Sequence, residues 1–237
     1  MANKKIQIGA VIDVIDPIKP AKKYIPDWYK KAESFIGGKM IFGKNGVNPA
    51  LKSCIPFMDT LTTGYIAELW TDLYVTQTPN GPLIRWPNQS VDSPIQFTPF
   101  EARGPEASAP MPVPIGCSDT HFTWHNPYLI KVPLGYSILL THPLNRYDLP
   151  FITLGGIVDC DTDVLSAGRV PFFIREGFEG VIPKGTPIYQ ILPFKRENWD
   201  SEVNPDLKRM NEKRSFDIAS VLYGWYKKTT WKRKEYN

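Results

Sequence analysis

The sequence predicts a mainly β protein, an antiparallel sandwich or small barrel with a short helix near its N-terminus and another near its C-terminus. Three observations predict it. Six strand-like runs fall at 128–132, 136–141, 151–158, 170–174, 179–182 and 188–194, separated by Pro, Gly, Asn and Asp. That spacing is expected of an antiparallel fold. Residues 76–114 hold nine of the 23 prolines, which keeps that stretch out of any central strand or helix interior. Toward the C-terminus Ile218, Val221, Leu222 and Trp225 recur at i, i+3, i+4 and i+7, the period of one helix face.

Taken in order, residues 5–15 (KIQIGAVIDVI) are β-branched and alternate, which predicts a strand ending before Pro20. Pro26 opens a short helix over 26–32, because Pro is tolerated in a first turn where its missing N–H has no partner to lose. Gly37-Gly38 and the segment 43–46 are turns, and Pro56 begins a helical turn within 51–64. In 66–75, Ala67, Leu69, Leu73 and Val75 alternate with Glu68, Trp70, Asp72 and Tyr74, the pattern of a half-buried strand. The Pro-rich stretch also carries Ile84, Trp86, Ile95, Phe97 and Phe100, too many large apolar groups for a free linker. It therefore reads as an ordered excursion packed over the body, or as an arm reaching another subunit. The β core spans 128–194 and the charged Lys195-Arg196-Glu197 ends it. A helix then covers 206–228, kinked or ended early by Gly224, and a basic-aromatic tail follows within 206–237. The whole of 1–237 reads as a single domain.

Composition narrows the function classes. At 22% charged, 42% hydrophobic and 13% aromatic the chain is neither disordered nor fibrous. No run of about 18 apolar residues exists, so no membrane span is expected. Two lysines precede an apolar stretch at the N-terminus, but Asp13 and Asp16 interrupt it and no small-residue cleavage site follows, so a signal peptide is not expected. Cys54, Cys117 and Cys160 are odd in number and lack metal-site spacing, as expected of reduced thiols in the cytoplasm of a host cell or in a virion. The net charge of +4 equals that of residues 226–237 alone, so a neutral body carries a basic tail. There Lys227, Lys228, Lys232 and Arg233 interleave with Tyr226, Trp231 and Tyr236. Besides a merely solvated terminus, the pattern admits contact with an acidic partner surface or nucleic acid. A tail docked on its own domain or on a neighbouring protein subunit is the expectation, and nucleic acid is not.

Several clusters are candidates for chemistry. If 119–125 is a strand, Asp119, His121 and His125 share one face and could hold a divalent metal such as iron, manganese or zinc. The competing expectation is histidines that simply pack against aromatic neighbours. Asp159, Asp161 and Asp163 could present oxygens to a cation, or make a turn. Asn145-Arg146 could hold a ligand carboxylate or phosphate, or anchor a turn through a salt bridge. Cys54 reads as a small buried hydrophobe before it reads as a nucleophile. No P-loop, dinucleotide-binding glycine motif or nucleophile elbow is present.

The order GIVDCDTD (156–163), FEG (178–180) and IPKGTPIYQILPF (182–194) resembles β-clip proteins such as trimeric dUTPases and deoxycytidine deaminases. The likeness implies a β-clip-like barrel and a nucleotide site lined by Asp159, Arg169 and Gln190. The phosphate-binding Gly-Arg-Ser-Ser of those enzymes is absent, Ala167-Gly168-Arg169 being the nearest fragment. IPDWYK (25–30), LKSCIPFMDTLTTGYIAELWTDLYV (51–75), HNPYLIKVPLGYSILLTHPLNR (125–146) and IPKGTPIYQILPFKRE (182–197) resemble a domain-of-unknown-function family, number 6065, of bacteria and their tailed viruses. That resemblance implies one unit over about 25–237 and no particular activity. The leading expectation is a non-enzymatic binding or assembly protein, phage-associated and homo-oligomeric. The alternatives are a metal-dependent β-barrel enzyme using Asp119, His121 and His125, and a β-clip nucleotide-binding protein.

Overall fold

A computed structural model describes residues 4–11, 16–43, 46–87, 97–165, 168–219 and 223–237. Where the sequence reads as one domain, the contacts group residues into two compact units. One, the β unit, comprises Met1–Tyr24, Gly64–Arg196 and Tyr236–Asn237. The other, the helical unit, comprises Ile25–Thr63 and Glu197–Glu235.

The strands begin with β1 (Gln7–Ala10), β2 (Lys19–Pro20), β3 (Phe42–Gly43), β4 (Gly46–Val47), β5 (Tyr65–Glu68) and β6 (Leu73–Thr78). They continue with β7 (Gly81–Arg85), β8 (Phe100–Arg103), β9 (Cys117–His125), β10 (Tyr128–Lys131) and β11 (Tyr136–Thr141). The last are β12 (Phe151–Thr153), β13 (Gly156–Val158), β14 (Arg169–Arg175), β15 (Gly180–Ile182) and β16 (Pro187–Lys195). The helices are α1 (Asp27–Lys31), α2 (Ile55–Thr62), α3 (Asp206–Ala219) and α4 (Trp225–Thr229). All pairings among these strands are antiparallel. They build a five-stranded sheet ordered β13-β11-β16-β5-β2, a four-stranded sheet β12-β14-β9-β8, a three-stranded sheet β15-β6-β7, and the pairs β1-β10 and β3-β4. None of these sheets closes on itself, so the fold is sandwich-like and not a barrel.

The core lies in the β unit. The pleat of β9 sends Phe122 and Trp124 inward and His121, Thr123 and His125 to the opposite face. Phe172 of β14 stacks on Trp124 with ring centroids 3.5 Å apart and an interplanar angle of 4°. Phe151 of β12 meets the same indole edge-on at 5.1 Å. Each such burial contributes about 1.5–3 kcal/mol. The indole N–H donates to Thr153 Oγ1 (3.0 Å), and that hydroxyl donates to the Ile188 carbonyl (2.7 Å), so β9, β12 and β16 are tied through one side chain.

Three predicted elements break where a polar group or a glycine intervenes. The strand expected over 66–75 divides into β5 and β6, which enter different sheets. Between them Leu69 exchanges backbone hydrogen bonds with Thr186 and Gly185, while the Asp72 carboxylate accepts the Lys184 N–H at 2.7 Å. The strand expected over 151–158 divides before Gly156, leaving β12 in the four-stranded sheet and β13 in the five-stranded one. The expected C-terminal helix divides into α3 and α4, with Gly224 in the left-handed region at φ +78°. Val221 and Leu222 of its apolar face lie outside the described residues, as does Ile95. The Pro-rich stretch holds β7 and β8; Pro82 sits in β7 at a sheet edge, where a missing donor costs no ladder bond. Ile84 is buried, and Trp86, Phe97 and Phe100 pack on the core, as an ordered excursion requires.

Candidate functional site

The strand β9 carries Asp119, His121 and His125, as the metal expectation requires, but does not bring them together. Four positions along a strand separate the two histidines by about 13 Å. His121 stacks on Phe173 with centroids 5.6 Å apart, and both its ring nitrogens are buried without a hydrogen-bond partner. Burial, reinforced by nearby Arg103, holds its pKa below the ordinary value. His125 shares a hydrogen bond between Nδ1 and Thr98 Oγ1 (2.9 Å), and its Nε2 lies 3.6 Å from Glu101. Asp119 is exposed. His142 bonds through Nε2 to the Arg146 carbonyl (3.0 Å) and accepts the Thr153 N–H at Nδ1 (3.3 Å), the pattern of a neutral structural ring. Among the described residues no group of three or more His, Cys, Asp or Glu side chains is placed to hold a metal ion. The expected Asp119–His121–His125 set is therefore not assembled.

The residues expected to line a nucleotide or anion site have separate partners. Asp159 accepts the Ser137 hydroxyl and lies 3.1 Å from Arg196. Asp161 accepts the Gly135 N–H (2.9 Å) and an ion pair from the same guanidinium. Asp163 accepts the adjacent Val164 N–H (2.7 Å), a turn contact. Arg169 pairs with Glu101, which also takes Arg103 at 3.0 Å. Gln190 is interior, its Oε1 accepting the Leu144 N–H (2.8 Å). Arg146 forks onto Asp148 with two bonds of 2.9 Å and reaches the Tyr24 carbonyl, while Asn145 turns the chain at φ +60°. These arrangements fix loops.

The helical unit contains an aromatic cavity. Phe57 of α2 stacks on Tyr29 of α1 (6.0 Å) and meets Trp28 at 6.3 Å; Phe35 lies against Tyr223 (5.3 Å). Lys52 is drawn over this cluster because its ammonium donates to the carbonyls of Lys30 (2.7 Å) and Ala32 (2.8 Å). Between these pieces lies a cavity of about 980 Å³, lined chiefly by apolar groups including Tyr29, Phe35, Leu51, Met58, Tyr223 and Trp225. Lys52 and Lys227 also line it, and so does Cys54, which is exposed and not the buried hydrophobe expected; no histidine is among the lining residues.

The basic tail is docked on its own chain. Trp231 Nε1 donates to Asp59 of α2 at 2.9 Å, and Lys234 pairs with the same carboxylate. Lys227, Lys228, Lys232 and Arg233 are left exposed around this anchor. The aromatic cavity was missed by motif reasoning because it joins residues 29–58 to 223–227 across the chain. The available signal was aromatic density in IPDWYK and in the segment 223–226 (YGWY).

No family model matches the chain, and no curated protein matches its sequence. The likenesses to family 6065 and to β-clip proteins rest on the motifs quoted above. No helix among the described residues is long and apolar enough to cross a membrane.

Proposed function

We propose that this protein is a non-enzymatic assembly protein that acts as a homo-oligomer and uses its helical unit as the contact surface. One observation carries the reading. That unit holds 78 of the 237 residues, yet among the described residues it has 12 of the 24 exposed large apolar side chains and two of the 28 buried hydrophobic ones, Tyr29 and Leu61. An exposed apolar surface of this extent gains most from a partner that covers it. Ile36, Ile41, Phe42 and Leu51 are all more than half exposed. Lys227, Lys228, Lys232 and Arg233 are exposed in the same unit, which suits an acidic protein partner. In the bacterial and viral setting of family 6065, such a protein would work in the host cytoplasm or in the virion.

The test is solution mass by light scattering and sedimentation over micromolar concentrations. A defined multimer that shifts toward monomer in an Ile41→Ser/Phe42→Ser variant is expected. A monomer throughout that range would refute the reading.

A further inference from the structure

Between the end of β16 and α3 runs a segment of unusual composition. Residues 197–206 read ENWDSEVNPD, with four carboxylates at Glu197, Asp200, Glu202 and Asp206 and no Lys or Arg. Every side chain in it is exposed, Trp199 at 85% and Val203 at 95%. Residues 197–204 belong to no strand or helix, and Pro205 with Asp206 opens α3. Nine residues of extended backbone reach about 30 Å. A tryptophan carries up to about 250 Å² of surface, and leaving it in water forgoes the burial that makes Trp a frequent anchor at interfaces.

The cavity of the same unit has complementary properties. It is aromatic and aliphatic within, of a volume within the range of ligand pockets, and cationic at Lys52 and Lys227, with Lys228 next along α4. Arg214 lies over the Trp225 ring at 4.8 Å, adding a further cation beside the aromatic wall. An apolar cavity with a basic rim selects an apolar side chain flanked by carboxylates, and 197–206 supplies that pattern.

We propose that the acidic segment 197–206 of one copy docks in the aromatic cavity of the helical unit of a second copy, with Trp199 in the cavity and Asp200 and Glu202 against Lys52, Lys227 and Lys228. The inference rests on the assembly reading above and names its contact. Each copy carries one arm and one cavity, so the contact closes as a reciprocal pair or continues head-to-tail into a ring. Opposite charge sets the orientation and speeds encounter, while the indole supplies most of the affinity.

The experiment measures the dissociation constant of the full chain by sedimentation in four forms: unaltered, Trp199→Ala, Lys227→Glu/Lys228→Glu, and the latter combined with Asp200→Lys/Glu202→Lys. All these positions are exposed, Lys227 also lining the cavity, and circular dichroism verifies that each form is folded. Trp199→Ala should weaken association by about tenfold or more. The lysine reversal should weaken it as well, and the combined reversal should restore it, which a misfolded variant would not do. A multimer indifferent to Trp199→Ala, or a combined reversal that fails to restore association, overturns the arm contact and leaves the assembly reading standing. A monomeric unaltered chain overturns both.

Discussion

Arg196 serves two carboxylates at once, and the consequences extend to acid stability. Its guanidinium forks onto Asp161, which is buried and also accepts the Gly135 N–H, and it reaches Asp159, which the Ser137 hydroxyl supports. The Arg196 hydrogen bonds, then the Gly135 amide, hold the Asp161 pKa down to about 2 from an ordinary 3.8. Between those values the unfolded chain binds the proton and the folded one does not. The carboxylate's contribution is thus complete above about pH 3.8 and is lost as pH falls toward 2. His142 acts in a higher window. Burial lowers its pKa from 6.5, opposed by its bond to the Arg146 carbonyl, so the unfolded ring protonates first and stability declines as pH drops below 6.5. Urea midpoints measured from pH 7 to pH 2 should therefore fall in two stages. Asp161→Asn should flatten the lower stage. His142→Gln should reduce the upper one without abolishing it, because His121 is also held below its ordinary pKa by burial. A profile unchanged in both variants would refute the assignments. None of this was visible in DCDTD as a string, since both Asp159 and Asp161 owe their roles to Arg196 and to Ser137 or Gly135, all distant in sequence.

At the level of elements, the two large sheets are joined where side chains satisfy each other across them. Thr153 accepts from Trp124 and donates to Ile188 while buried, so Thr153→Val takes the acceptor from the indole N–H and a donor from the Ile188 carbonyl at nearly unchanged volume. A loss of about 1–3 kcal/mol is expected from chemical denaturation. Gly64, at φ +76°, has a separate constraint: a Cβ there would lie 2.2 Å from the Ile191 carbonyl oxygen. Gly64→Ala should cost more than the roughly 1–2 kcal/mol of left-handed strain alone, which is what Gly185→Ala, at φ +85° in open space, should show. Equal losses at the two glycines would remove the steric argument. These elements also show what the sequence could disclose. The strand at 136–141 was legible to the residue because its apolar pattern and its flanking Pro133-Leu134-Gly135 agree. The breaks in 66–75 and 151–158 were only partly legible: Thr71 and Gly155-Gly156 interrupt the apolar runs, but nothing in either run names the distant segment that takes over its hydrogen bonds. What stops each strand is a bond to a distant segment: Leu69 to Thr186, and Leu154 to Pro171. His121 and His125 lie on one face of β9, the register shifts before His121 where Asp119 sits, and a shared face on a strand does not bring residues four apart into one coordination shell.

The whole molecule divides its stability unevenly between its units, and that division can be measured. The hydrophobic cluster built on Trp124, Phe172, Ile138 and Ile191 belongs entirely to the β unit. In the helical unit every described side chain of α3 is exposed, and a helix of this length draws most of its stability from tertiary packing. Amide exchange at low concentration should therefore be slowest in β9, β11, β14 and β16 and fast in α3. Association through the helical unit makes a second demand. As concentration rises through the dissociation constant, protection should increase in 197–219 and 223–229 and stay constant in the four core strands, which are already closed. Added salt should reduce the gain without abolishing it, because carboxylates and lysines face each other in the proposed contact and exposed charges are screened over a Debye length of about 10 Å at 0.1 M, while the indole contribution remains. A gain of protection confined to exposed sheet edges such as β7 or β13 would instead place the interface on the β unit. The helical unit would then need another explanation for its uncovered apolar surface, and its exchange would remain fast at every concentration.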